Sequence, residues 1–79
     1  MRVDVRLIQF GMAMQEGSVL AWLAEIGDAV VEGEPLVEIE TEKATAEVPA
    51  PASGTLESIV AEPGALIPVR GLLGTIAVV

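Results

Sequence analysis

The chain has 79 residues, of which 12 are acidic and 4 basic, and its formal net charge is −8. It contains no histidine and no cysteine, which excludes disulfide bonds, zinc sites built on imidazole or thiolate, and Ser-His-Asp or Cys-His catalysis within the chain. The length indicates one domain over residues 1–79, and the acidic balance argues against nucleic-acid binding.

The predicted elements are short strands separated by glycine and proline. Several pieces alternate apolar with polar residues, as strands with one buried face do. Gly27-Asp28 and Pro63-Gly64 are turn signals. Residues 9–16 form the longest piece without a strand pattern and predict a surface loop. We predict strands at residues 2–8, 18–24, 29–31, 36–41, 44–49, 54–61, 65–69 and 72–78.

An internal repeat indicates how these strands are arranged. A shift of 37 residues aligns Gly17–Glu40 with Gly54–Ala77 without gaps. Two such halves bury their apolar faces against each other, which neither half does alone. We therefore predict an all-β fold, a flattened eight-stranded barrel-sandwich hybrid of two four-stranded halves related by a pseudo-twofold axis. The identical pairs are Gly17/Gly54, Ala24/Ala61, Glu25/Glu62, Gly27/Gly64, Leu36/Leu73 and Ile39/Ile76.

The mean hydropathy of +0.61 raises the question of a membrane segment. A membrane-spanning helix needs about 20 consecutive apolar residues, whereas the most apolar run, residues 71–79, is short and reads as a buried strand. The first residues lack the layout of a signal peptide. We expect a soluble, untargeted chain without membrane association.

Lys43 is the only lysine, and it lies where the two halves of the repeat meet. Strand patterns before and after it predict a tight hairpin. Two-residue hairpin turns favour Asn-Gly or Asp-Gly, yet this glycine-rich chain places Glu42-Lys43 there. An exposed lysine amine is acylated by an activated carboxylate, whereas it has no base, metal or oxyanion site with which to act alone. The pattern indicates either an attachment point for a prosthetic group or a solvated charge that offsets nearby acids.

The residues around Lys43 resemble the lipoyl domain of the acyltransferase (E2) components of 2-oxo acid dehydrogenase complexes. The attachment motif of that family, Glu-Thr-Asp-Lys-Ala, stands here as Glu40-Thr41-Glu42-Lys43-Ala44, with Glu in place of the usual Asp. The resemblance covers essentially the whole chain. Further matches are Glu16-Gly17-Ser18-Val19, Trp22-Leu23, Gly27-Asp28, Gly33-Glu34, Glu47-Val48-Pro49-Ala50-Pro51 and Ser53-Gly54.

The resemblance implies a carrier function. Lys43 would hold lipoate in an amide bond, as a swinging arm at the hairpin tip. The residues that the modifying lipoyl ligase or transferase would recognise are Glu40, Glu42, Ala44, Gly27 and Gly54. The last two correspond to family glycines sixteen residues before and eleven after the lysine, which help to shape the hairpin for that enzyme.

The resemblance also implies the partners of the domain. The arm would shuttle acyl groups and reducing equivalents among a thiamine-diphosphate-dependent decarboxylase (E1), an acyltransferase core (E2) and a dihydrolipoyl dehydrogenase (E3). Tethering makes each transfer effectively intramolecular. The domain would be a monomeric, non-catalytic part of a dihydrolipoamide acyltransferase. We expect it in the bacterial cytoplasm, or in the mitochondrial matrix if the chain was cut from a longer eukaryotic protein.

The loop after the first strand is the part that the family uses for recognition by the decarboxylase. It comprises Gln9, Phe10, Gly11, Met12, Ala13, Met14 and Gln15. Its Gly-Met-Ala-Met run resembles the pyruvate and acetoin type, although Ile8 stands where the family commonly has proline. The paired methionines are read equally well as loop packing.

Three other kinds of protein share some of these sequence features. A biotinyl carrier domain shares the hairpin lysine but has methionine on both sides of it. A glycine-cleavage carrier is longer, and an unmodified hybrid-barrel interaction module usually has a long insertion in the hairpin.

Residues 25–47 hold eight acids and one lysine, which indicates either a solvated face or a surface that steers the arm towards basic partners.

Overall fold

A computed structural model describes residues 1–11, 14–42 and 44–78, which form eight strands and no helix. All eight predicted strands are confirmed, each within two residues of the expected bounds. No helix among the described residues is long and apolar enough to cross a membrane. The strands are β1 (Arg2–Arg6), β2 (Glu16–Trp22), β3 (Ala29–Val30), β4 (Pro35–Glu40), β5 (Thr45–Pro49), β6 (Gly54–Ile59), β7 (Leu66–Pro68) and β8 (Leu72–Ala77).

The strands form two antiparallel four-stranded sheets, which stay separate rather than closing into a barrel. One sheet has the order β1-β8-β6-β3 and the other β5-β4-β2-β7. Replacing each strand of the first sheet by the strand four places away along the chain reproduces the order of the second sheet. This exchange confirms the two pseudo-twofold-related halves, and each sheet contains two strands from each half.

The hydrogen bonds that join the halves repeat in the same way. The Gly33 amide donates to the Ala50 carbonyl oxygen at 2.9 Å, and the Arg70 amide donates to the Leu7 carbonyl oxygen at 2.8 Å. Gly33 and Arg70 are 37 residues apart, which is the offset of the sequence repeat. Leu7 and Ala50 are 43 apart, because the β1–β2 connection (residues 7–15) is longer than its counterpart, the β5–β6 connection (residues 50–53).

Aliphatic side chains fill the space between the sheets, since the chain has only one Trp, one Phe and no Tyr. Trp22 lies at the margin of this core, where its indole N–H donates to the carbonyl oxygen of buried Ala61 at 2.8 Å. Its ring covers Gly74, which has no side chain to oppose it. The core consists of Val5, Leu7, Val19, Val30, Leu36, Val37, Ile39, Val48, Ala50, Leu56, Ala61, Leu73 and Ile76.

Candidate functional site

The hairpin between β4 and β5 is closed across Thr41 and Ala44. The Thr41 amide donates to the Ala44 carbonyl oxygen at 2.8 Å, and the Thr41 hydroxyl donates to the same oxygen at 2.8 Å. The Ala44 amide donates back to the Thr41 hydroxyl oxygen at 3.3 Å. Two residues, Glu42 and Lys43, connect these partners in the sequence; the attachment prediction falls on Lys43, which lies outside the described residues.

Thr41 explains how this turn forms without glycine. Hydroxyl side chains stabilise turns by bonding to nearby backbone groups, and here one hydroxyl bonds to both the amide and the carbonyl group of Ala44. Thr41 was not among the site residues predicted from the sequence. The signal was present, because a threonine stands directly before the two connecting residues.

The turn follows a ladder of five residue pairs. The ladder runs from the Pro35–Pro49 pair to the Glu40–Thr45 pair. Glu40, Glu42 and Ala44 are all exposed. The motif residues on either side of position 43 are therefore open to solvent and to a modifying enzyme.

The hairpin is strongly acidic. Glu38 and Glu47 face each other directly across the β4–β5 ladder, an arrangement in which like charges repel. Glu40 follows on the same strand and Glu42 in the turn. Within residues 1–11, 14–42 and 44–78, neither ion pair involves these four carboxylates. Among the described residues, these carboxylates thus form a cluster of negative charge beside the turn.

The loop predicted for partner recognition lies beside this hairpin. Gly11, Met14 and Gln15 line an open groove together with residues 40–42. Leu66, from the adjacent strand β7, is exposed by 59% and also lines it. The loop and the hairpin therefore present one continuous surface. Gln9 and Phe10 belong to the described part of the loop, whereas Met12 and Ala13 lie outside the described residues.

Met14 packs within the molecule. It is half-buried against the core, and its sulfur accepts the Phe10 amide at 3.3 Å. Its methyl group lies near Gly17, where an added Cβ would come within 3.4 Å of it. The absence of a side chain at Gly17 leaves room for Met14 and for Ile39 of the neighbouring strand. Met14 therefore anchors the loop.

Gly27 and Gly54 do not lie in the hairpin. Gly27 has a positive φ of 98° in the turn before β3 and donates its amide to the Leu56 carbonyl oxygen at 2.8 Å. Gly54 begins β6 in the other sheet, paired with Val30. A Cβ at Gly54 would overlap the Ala77 carbonyl oxygen. Both glycines have conformational or packing reasons of their own, and their part in modification stays a prediction.

Arg70 is a second residue, after Thr41, that was not predicted from the sequence to belong to the site. It is the sole non-glycine residue with positive φ in the described parts of the chain, at 73°. Its counterpart in the repeat, Gly33, has φ of 91°. The same hydrogen bonds impose the same backbone conformation on both, and a side chain there is strained. The repeat alignment held this signal, because it pairs Gly33 with Arg70.

The fold and the turn define a class of protein: a small domain of two four-stranded sheets with one tight, two-residue hairpin. Residues 3–76 match the family model Biotin_lipoyl, described as "Biotin-requiring enzyme". The chain belongs to this family of biotinyl and lipoyl attachment domains, which confirms the resemblance drawn from the motif.

Comparison with individual relatives points to the lipoyl members of the family. The chain is 45% identical, over 94% of its length, to the dihydrolipoyllysine-residue acetyltransferase component of the pyruvate dehydrogenase complex of Mycobacterium bovis. It is 39% identical, over 95% of its length, to the corresponding component of the acetoin cleaving system of Cupriavidus necator. It spans only 13% and 20% of those two proteins.

A solved structure supports the same assignment. The lipoyl domain of the 2-oxoglutarate dehydrogenase complex of Azotobacter vinelandii superposes with a TM-score of 0.75 at 33% identity. The match covers 96% of each chain. The chain is thus a lipoyl domain in fold and in family, and it corresponds in extent to a domain of the longer acyltransferases.

Proposed function

We propose that this chain is a lipoyl carrier domain in which Lys43 bears lipoate through an amide bond. When attached, lipoate supplies a disulfide–dithiol pair that accepts an acyl group together with two electrons. The chain itself provides the attachment amine and the surface that partner enzymes recognise.

The observation that carries the proposal is the closed, exposed turn on which the attachment motif falls. Thr41 and Ala44 are held together by three hydrogen bonds, so the two-residue connection has fixed ends. Since Glu42 and Ala44 are exposed, nothing in the described structure covers the chain on either side of Lys43. The residues present fit a group that must extend into solvent and reach several active sites.

The flanking residues favour lipoate over biotin. A biotinyl attachment site has methionine on both sides of its lysine, whereas Glu42 and Ala44 flank Lys43. The acidic carboxylates beside the turn give the domain a negative approach surface. We propose that this surface steers the arm towards basic rims of the partner enzymes.

The pyruvate or acetoin type of complex is the favoured context. This preference is based on the Gly11-Met12-Ala13-Met14 run, which resembles the pyruvate and acetoin type. Sequence identity alone does not separate the types: it is 45% and 39% to the pyruvate and acetoin relatives, and 41% to the succinyltransferase component of the 2-oxoglutarate dehydrogenase complex of Bartonella vinsonii. We propose a decarboxylase of that type, an acyltransferase core and a dihydrolipoyl dehydrogenase as partners, with a lipoyl ligase or transferase as modifying enzyme. A cytoplasmic location fits these bacterial relatives.

Mass spectrometry after co-expression with a lipoyl ligase and lipoate tests the attachment. We expect the parent chain to gain the mass of one lipoyl group. Lys43→Arg is the matched control, because it keeps the positive charge but supplies no acylable amine. A parallel co-expression with a biotin ligase and biotin should add nothing.

Two results would contradict the proposal. One is a biotin adduct in place of a lipoyl adduct. The other is an unmodified parent chain when the same ligase, in the same culture, lipoylates a known lipoyl domain. An adduct that persists in Lys43→Arg would show that attachment occurs elsewhere, for instance at the amino terminus.

A further inference from the structure

The counterpart turns at Gly33 and Arg70 differ in one respect that backbone geometry does not explain. Both residues have positive φ, at 91° and 73°, and both amides donate to the carbonyl oxygen at the end of a neighbouring strand. Glycine suits that conformation, and one copy of the repeat has it. The other copy has an arginine, although its side chain makes the conformation less favourable.

Arg70 lies at the base of the recognition loop. The Val69 amide donates to the Gln15 carbonyl oxygen at 2.9 Å, and the Arg70 amide donates to the Leu7 carbonyl oxygen at 2.8 Å. Leu7 and Gln15 are the two ends of the β1–β2 connection, residues 7–15, which contains the recognition loop, so residues 69–70 bind both of its ends. The Gly33 copy faces the short connection at residues 50–53 instead. Arginine therefore replaces glycine in the copy that carries the loop.

The charge of Arg70 is available to a partner. Its side chain is exposed, and the ion pairs among the described residues use the other two arginines, Arg2 with Glu57 and Arg6 with Asp4. Arg6 also donates to the Arg70 carbonyl oxygen at 2.9 Å, which braces the turn from below. The backbone of Arg70 is thus held firmly while its guanidinium group is not used in an ion pair.

We propose that Arg70 is a specificity-determining residue that binds a carboxylate on the decarboxylase; this inference depends on the proposed carrier function. A domain with a net charge of −8 is attracted to basic surfaces at long range, but that attraction does not fix its orientation. An arginine at the loop base does, because its fork of donors pairs with a carboxylate in a defined geometry. Charge complementarity of this kind sets the register of a complex.

Steady-state reductive acylation of the full, lipoylated chain tests the proposal. The assay uses whichever of three decarboxylase components, specific for pyruvate, acetoin or 2-oxoglutarate, acylates the parent chain. Acylated product is measured by mass spectrometry as the domain concentration is varied. Arg70→Gln and Arg70→Gly should raise the KM for the domain about tenfold, with little change in kcat, whereas Arg70→Lys should retain most of the parent activity.

Arg2→Gln is the matched control, because it removes the same charge from the opposite end of β1, and its KM should stay at the parent value. Arg70→Gly separates recognition from folding, since it relieves backbone strain while removing the guanidinium group. Each variant is also checked for lipoylation and for reoxidation by dihydrolipoyl dehydrogenase, both of which should be unaffected.

The outcomes separate this inference from the proposed function. A parent chain that is lipoylated but acylated by none of the three decarboxylases would remove the carrier function, and this assignment with it. A parent chain that is acylated with the same KM as Arg70→Gln and Arg70→Gly would overturn the role of Arg70 alone. An equal loss in Arg70→Lys and Arg70→Gln would contradict recognition through charge.

Discussion

Gly33 and Arg70 both have positive φ, one as glycine and the other with a side chain. The free-energy cost of a side chain in this conformation can therefore be measured by adding one at Gly33 and by removing one at Arg70. At Gly33, an added Cβ meets nothing within 4 Å, so Gly33→Ala tests backbone strain without a steric clash. The left-handed region costs a non-glycine residue about 1–2 kcal/mol. We expect a net loss of about 1 kcal/mol, since alanine also restricts the unfolded chain.

The reverse change, Arg70→Gly, should stabilise the domain by about 0.5–1 kcal/mol for the same reason. For a domain of this size, 1 kcal/mol corresponds to about 4–8 °C in Tm. Urea unfolding followed by circular dichroism gives each free energy of unfolding, with equal m values required for the comparison. Gly11→Ala is the control: an added Cβ there is also in open space, and φ is not positive, so stability should not fall. The reasoning is refuted if Gly33→Ala is as stable as the parent chain, or if Arg70→Gly is less stable.

Two further perturbations test the packing of β6 and the ion pair beside it. Gly54→Ala should destabilise the domain by about 2–3 kcal/mol, because its Cβ would overlap the Ala77 backbone and come within 2.9 Å of Ile76. Lipoylation of this variant should fall only in proportion to the folded fraction. A variant that is folded but unmodified would instead support a direct role of Gly54 in modification. The hydrogen bond from Arg2 lowers the pKa of the Glu57 carboxyl group below its ordinary value. The contribution of this ion pair to the free energy of unfolding is therefore present near neutral pH and is lost as pH falls through the lowered pKa. Glu57→Gln should therefore be slightly less stable than the parent at pH 7 and equal to it in acid, and a difference that persists unchanged in acid would contradict this linkage.

The strand pattern was predictable because it depends on local alternation and on glycine and proline punctuation. All eight strands follow from that pattern, and the repeat indicated the pairing of the halves. The bounds moved where tertiary contacts extend or end a strand: β2 begins at Glu16, two residues early, because β7 pairs with Glu16, Gly17 and Ser18. Such a contact connects distant parts of the chain and leaves no local signal.

The position of the hairpin was predictable from the sequence, whereas the contacts that close it were not. The motif identified the turn from the run of residues around Lys43, and the acidic surroundings followed from composition. The closure of the turn by the Thr41 hydroxyl depends on a side-chain rotamer, which sequence periodicity does not specify. The packing of Met14 against Gly17 likewise depends on two segments meeting in space. Gly54 was predicted for the site from its spacing to Lys43, but the structure places it in the other sheet, close to Ile76 and Ala77.

The pseudo-symmetry of this domain is broken at the end that carries the β4–β5 hairpin. The pseudo-twofold repeat gives the domain two equivalent ends. At one end the Thr41 amide donates to the Ala44 carbonyl oxygen at 2.8 Å, and at the other the Val78 amide donates to the Met1 carbonyl oxygen at 2.7 Å. A hairpin joins the two strands at the first end but not at the second. A long loop replaces a short connection, and Arg70 replaces the glycine of its counterpart. The loop and the hairpin share one groove, and Arg70 holds the base of that loop. The repeat does not require these departures, and such departures from local preference are expected where function needs them.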